Sequence, residues 1–148
     1  MNIPLDISEL QEALPRKVSN LQSAIRNRIL ADFTRENINI TLEMYLVLRC
    51  LWEKDGRNQQ EISDVLYRDK ASLTSLIDNL EKRNLVVRVQ NQSDKRNKNI
   101  FLTDGGKTIK EKVTPIISEL LSEIETTVSE KDLTTTIHVL DALFKKIK

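Results

Sequence analysis

Residues 84–103 read NLVVRVQNQSDKRNKNIFLT, and this stretch decides how the rest of the chain assembles. Leu85, Val86, Val87 and Val89 have the β-branched density of a strand, and Ile100 to Thr103 supply a second. Between them, Asn91 to Asn99 contains no apolar side chain and three cations, Lys95, Arg96 and Lys98. The pattern is a hairpin with a polar, basic loop. Two strands alone are marginal, so the hairpin has to lean on a neighbour. Directly upstream, Lys70 to Arg83 has a helical period. Leu73, Leu76, Ile77 and Leu80 line its buried side, and Ser72, Thr74, Ser75, Asp78 and Asn79 occupy most of the rest. A helix followed by a basic hairpin offers two probes to a DNA duplex.

Moving towards the N-terminus, Asp69 can cap that helix. Asn58-Gln59-Gln60-Glu61 has the form of a capping box and opens a short helix carrying Ile62, Val65 and Leu66. Two short helices with a brief turn between them, then a hairpin, is the winged helix-turn-helix order. Before it, Thr41 caps a helix with a broad apolar face (Leu42, Tyr45, Leu48 and Leu51, with Val47 and Trp52 beside them), ended by Asp55-Gly56. Leu14, Val18, Leu21, Ile25, Ile29 and Phe33 form one apolar stripe. The helix that carries it is expected to begin near Pro15, a residue that suits a first turn, and to fade at Asn37 to Asn39. Residues 1–14 hold only a short helical possibility, interrupted by Pro4 and Pro15.

Past the hairpin, Thr103 and Asp104 can start a helix with Gly105-Gly106 in its first turn. Ile109, Val113, Ile116, Leu120 and Ile124 share one face, and Pro115 is expected to kink the helix and to serve as a hinge. Ser129 caps a last helix in which Leu133, Ile137, Leu140, Phe144 and Ile147 recur at heptad spacing. The long terminal helices carry more apolar surface than the small central domain needs. Their surplus predicts a homodimer, with Val18, Leu21, Ile25, Leu133, Ile137, Leu140, Phe144 and Ile147 at the interface; a bundle within one chain is the alternative. The chain is thus expected to be mainly α with a two- or three-stranded antiparallel β wing. Its expected segments are an N-terminal dimerisation helix (1–40), a winged helix-turn-helix domain (41–103) and C-terminal dimerisation helices (104–148).

Composition sets outer limits. The chain has 148 residues and a net charge of +1, but the charge is unevenly placed. Residues 57–102 hold nine cations and six anions, a net +3, whereas residues 1–56 and 103–148 each hold seven and eight, a net −1. The cationic excess surrounds the hairpin. No apolar run is long enough to cross a membrane, no signal peptide opens the chain, and a lone cysteine fits a reducing cytoplasm. Neither a Gly-rich phosphate loop, a Ser-His-Asp set nor a cluster of metal ligands is evident, so neither an enzyme nor a cofactor is expected. His138 stands alone and reads as a surface or packing residue. Cys50, mid-helix, reads as a small buried hydrophobe, with a redox switch as the alternative.

With these residues in view, the chain resembles the MarR (multiple antibiotic resistance regulator) family of prokaryotic transcription factors. The likeness rests on Leu76 to Val86 (LIDNLEKRNLV), Arg88, Asp94-Lys95-Arg96, and Leu102-Thr103 with Gly106 behind. It departs at Asn84, which replaces the usual Gly after the recognition helix and is the next-best residue for a left-handed terminus. It departs again at Asn97 and Lys98 in the wing. The resemblance implies a dimeric, ligand-responsive repressor that binds double-stranded DNA at a pseudo-palindromic operator, with one recognition helix and one wing per half-site. In the helix, Lys70, Ser72, Thr74 and Ser75 are the candidate contacts, each also accounted for as a solvated helix face. Arg68 is a further phosphate candidate. In the wing, Arg96 is the sharpest candidate, aimed by Asp94 and flanked by Lys95 and Lys98 on phosphates. Family members often bind small lipophilic or phenolic effectors between the dimer helices and the DNA domain. Phe33, Tyr45, Arg49 and Trp52 are the candidate walls here, although ordinary core or surface is the stronger reading for each. A winged-helix module that binds protein and not DNA is the rival reading.

Overall fold

The computed structural model describes residues 6–148 and runs α1 (Ile7–Arg35), α2 (Leu42–Glu53), β1 (Arg57–Asn58), α3 (Gln59–Leu66), α4 (Lys70–Lys82), β2 (Val86–Gln90), β3 (Lys98–Leu102), α5 (Asp104–Thr127) and α6 (Glu130–Ile147). The expected caps form: Thr41, Asn58, Asp69, Thr103 and Ser129 each accept from the backbone amide three residues on. Asn58 and Glu61 complete a reciprocal capping box.

One expectation about the long helices is corrected. α1 does not begin at Pro15. Asp6 and Glu9 form a capping box, and the helix runs through Pro15 without a break. The box satisfies the first amides, and the proline costs one hydrogen bond in a helix otherwise able to carry it. Pro4 lies outside the described residues. α5 runs from Asp104 to Thr127 with Pro115 inside it.

The wing is three-stranded. β3 lies between β2 and the two-residue β1, antiparallel to both, with Arg88 opposite Ile100 on one side and Arg57 opposite it on the other. Asp55 accepts from the amides of Gly56 (3.0 Å) and Leu102 (2.9 Å) and so pins the strap ahead of β1 to the end of β3. The loop is shorter than the sequence suggested, because Lys98 pairs with Gln90 and belongs to β3.

Among the described residues three non-glycines adopt left-handed φ: Asn37 (55°), Tyr67 (50°) and Asn84 (56°). Asn84 closes a Schellman motif. Its amide donates to Glu81 O (2.9 Å) and the Leu85 amide to Leu80 O (3.0 Å), while both leucines are buried. Asn37 does the same for α1, with the Ile38 amide on Phe33 O (2.8 Å). The substitution of Asn for Gly at residue 84 therefore leaves the turn intact.

One core joins the central helices. It runs from Ile29 and Phe33 of α1, through Val47, Leu48 and Leu51, to Ile62, Leu73, Ile77 and Leu80, then Val86 and Ile100 of the sheet, and ends at Val113 and Ile116 of α5. Polar ties reinforce it. Asp32, 3% exposed, accepts from Arg28 (2.9 Å) and is paired with Arg35 (2.9 Å), and Arg28 reaches on to Glu123 (2.7 Å), joining α1 to α5. The outer ends of the stripes stay open. Ile7, Leu10, Leu14, Val18 and Leu21 of α1 are exposed, as are Ile137, Leu140, Phe144 and Ile147 of α6, and α6 has no buried residue. Ile25 and Leu133 are half-buried.

Candidate nucleic-acid interface

α4 packs on α3 and the sheet through Leu73, Ile77 and Leu80, all fully buried. That fixes its polar strip outward, so Lys70, Ser72, Thr74 and Ser75 are exposed together at its first turns. They are not equally free. The Ser72 hydroxyl donates to Asp69 Oδ2 (2.7 Å) and its amide to Asp69 Oδ1 (2.9 Å), so it completes the cap. The Ser72 amide and hydroxyl together hold the Asp69 carboxyl below its ordinary range. Thr74 donates to Lys70 O (2.8 Å) and accepts from Gln59 Nε2 (2.5 Å). Arg68 is half-exposed at the turn before α4, where the Ser63 hydroxyl donates to its carbonyl (2.5 Å).

At the wing tip, Asp94 accepts from the Arg96 amide (3.0 Å) and from the Asn97 side chain (2.9 Å), and the Asn97 amide donates to Asp94 O (3.0 Å). Asp94 thus folds the turn through an amide and leaves the Arg96 guanidinium free to project. Gln90 Nε2 steadies the same loop from Lys95 O (2.9 Å). Asn97, a departure from the family pattern, is a working part of this turn.

The wing is fastened to the recognition helix by Arg88, one of the residues that carry the family likeness. Its guanidinium meets Asp78 (2.7 Å) and Glu81 (2.6 Å) of α4 and is only 17% exposed. The clamp fixes the angle between helix and hairpin, and it neutralises two carboxylates that would otherwise repel phosphates. An arginine inside a strand of valines, facing a helix with acids three apart, is the signal that could have found it.

The result is a cleft of about 280 Å³ between α3, α4 and the wing, lined by Gln59, Gln60, Lys70, Arg88, Arg96, Asn97, Lys98 and Ile100. Among the described residues Lys70, Lys95, Arg96 and Lys98 make no ion pair, so their charge remains available to an anion.

A second, apolar cleft of about 490 Å³ opens between α1, α2, α5 and α6, with Ile25, Ile29, Leu46, Ile117 and Leu120 among its walls. Of the four expected wall residues it includes Tyr45 and Arg49. Phe33 is instead buried in the core, and Trp52 donates through Nε1 to Gly106 O (2.9 Å). Cys50 is 1% exposed, and burial pushes its thiol pKa up. Among the described residues no cluster could hold a metal, and no helix is long and apolar enough to cross a membrane.

Residues 40–98 match the model of the MarR family. The chain is 30% identical over 102 residues to the HTH-type transcriptional regulator SarZ of Staphylococcus aureus (strain USA300), covering 69% of this chain and 68% of that protein. It is 33% identical over 86 residues to the organic hydroperoxide resistance transcriptional regulator of Bacillus subtilis (strain 168), where the match spans 58% of either protein. The structure of reduced AbfR bound to DNA superimposes with a TM-score of 0.80 at 27% identity, over 94% of this chain and 95% of that one.

Proposed function

Because the chain belongs to the MarR family of DNA-binding transcription regulators, we propose that it acts in the cytoplasm as a homodimeric, ligand-responsive repressor. Its target would be a pseudo-palindromic operator in double-stranded DNA. The observation that carries this is the convergence of three unpaired cations, Lys70, Arg96 and Lys98, from two elements on one cleft, with Lys95 on the same loop, where an arginine clamp fixes the angle between those elements. Residues 41–103 then read DNA, and residues 1–40 and 104–148 pair with the second copy. α4 enters a major groove and the wing carries Arg96 into the adjacent minor groove, whose negative potential favours a guanidinium.

A mobility-shift titration on the protein's own promoter region, repeated at several salt concentrations, tests the reading. Binding is expected to weaken steeply with salt. Arg96→Ala weakens it and lowers the slope of log K against log salt by about one unit. A slope that stays the same removes Arg96 from the interface, and weak binding indifferent to salt favours a protein-interaction module.

The apolar cleft supports a lipophilic or phenolic effector. It would bury a ring against Tyr45, Ile25 and Leu120, with Arg49 to meet an anionic group. Cysteine-based sensing has less support, because the thiolate is the reactive form and Cys50 is both buried and hard to ionise. A phenolic carboxylate is therefore expected to weaken operator binding in the same titration, whereas an organic hydroperoxide leaves it unchanged. Loss of binding to hydroperoxide, reversed by a thiol reductant, would reverse the assignment.

A further inference from the structure

The first turns of α3 and α4 are joined by one side chain. Gln59 Nε2 donates to Lys70 O (3.2 Å) and to Thr74 Oγ1 (2.5 Å), and the Thr74 hydroxyl donates its own hydrogen to Lys70 O (2.8 Å). The amide orientation is fixed by chemistry, since a backbone carbonyl accepts only and must face the nitrogen. A threonine hydroxyl ordinarily donates or accepts as its neighbour requires. Here its single proton is spent on a carbonyl and one lone pair on Gln59, which leaves one lone pair for anything outside. Thr74 is exposed, on the same strip as Lys70 and Ser75, at the end of α4 that borders the cationic cleft.

We propose that Gln59 is a specificity-determining positioning residue that holds Thr74 as an acceptor-only group towards the major groove. This rests on the DNA-reading role of α4. In that groove adenine and cytosine present an amino hydrogen, while guanine and thymine present acceptors at the matching positions. An acceptor-only hydroxyl therefore favours an amino-bearing base at one position of each half-site. Apolar contacts through Leu73 and Ile77 hold α4 against its neighbours but do not orient a hydroxyl; a directional bond does.

Selection of bound duplexes from a randomised pool reads the effect for the full-length wild type, Gln59→Met, Thr74→Val and Thr74→Ser. The methionine keeps the length of the side chain and removes the donor. Wild type and Thr74→Ser are expected to prefer adenine or cytosine at one position per half-site. Gln59→Met relaxes that preference about three- to tenfold with the salt slope unchanged. Combined with Thr74→Val it relaxes it no further than Thr74→Val alone, since both act on one contact. Thermal unfolding of each variant confirms that the fold is kept. A uniform loss across all sequences, or unchanged preferences in Gln59→Met, overturns the role of Gln59. A wild type that selects no sequence overturns the DNA-reading role itself.

Discussion

Replacing Gly106 with alanine is expected to cost stability at or beyond the upper end of the 1–3 kcal/mol typical of overpacking, although alanine is the better helix former. A Cβ at residue 106 would lie 2.1 Å from Leu85 O and 3.1 Å from a methyl of Leu102. The first of these is backbone, and it is already held, because Leu85 O accepts from the Thr103 amide (3.1 Å). Neither side can yield without parting α5 from the root of the wing. The Gly106 carbonyl also receives the Trp52 indole, so the same shift pulls on α2. Gly105→Ala is the control. Its Cβ would meet Asn84 O at 3.0 Å, a conflict that a few tenths of an ångström relieves. Thermal unfolding followed by the fluorescence of Trp52, the single tryptophan, should show Gly106→Ala lower by roughly 10 °C and Gly105→Ala changed far less. Equal midpoints for the two would mean that the close approach at Gly106 is not a constraint.

That joint explains why a Leu-Thr-x-x-Gly run could be read as a boundary. Leu102 ends a strand, Thr103 caps the next helix, and Gly106 is where that helix crosses the strand root too closely for a side chain. The local signals were the legible ones. Thr41, Asn58, Asp69, Thr103 and Ser129 cap as expected because capping depends on residues within a turn of each other. What could not be read depended on pairing across the fold. β1 is two residues long and exists by pairing with β3, with Asp55 bonded to the Leu102 amide beside it. Lys98 looked like a loop residue and became strand by pairing with Gln90. Pro15 looked like a start, but Asp6 and Glu9 form a capping box upstream and the helix runs through the proline.

The candidate site divides the same way. Its cations were visible as a charge excess, and the polar strip of α4 as an absence of apolar residues. The arrangement that makes them a site was not visible. Arg88 reaches two acids on the preceding helix, and Gln59 reaches across a helix-turn-helix to Thr74. Both are contacts between elements whose relative placement is set only by the core.

Substituting Leu21 with glutamate is expected to leave the winged domain folded but to convert the protein from dimer to monomer and to lower operator affinity by at least two orders of magnitude. Leu21 is 61% exposed in the single chain. It continues the stripe of Ile7, Leu10, Leu14 and Val18, and α6 offers Ile137, Leu140, Phe144 and Ile147 in the same state. Two helices with such faces open to water exceed the scattered apolar exposure normal for a surface. In the proposed homodimer a second copy lets one chain's surplus cover the other's, and two-fold pairing would also supply the second half-site. The core contribution of α1, Ile29 and Phe33, lies two and three turns further on, so a charge at residue 21 does not enter the fold's interior. Its effect is on the association, since an unpaired carboxylate cannot be buried against leucines at tolerable cost. Once the copies part, each half-site must be bound separately, and the gain from a linked second contact disappears. Sedimentation of wild type and variant reads the mass, and the promoter titration reads the affinity. A variant that remains dimeric would move the interface elsewhere on the surface. A monomer that binds the operator as tightly as wild type would show that DNA recognition does not need the pair.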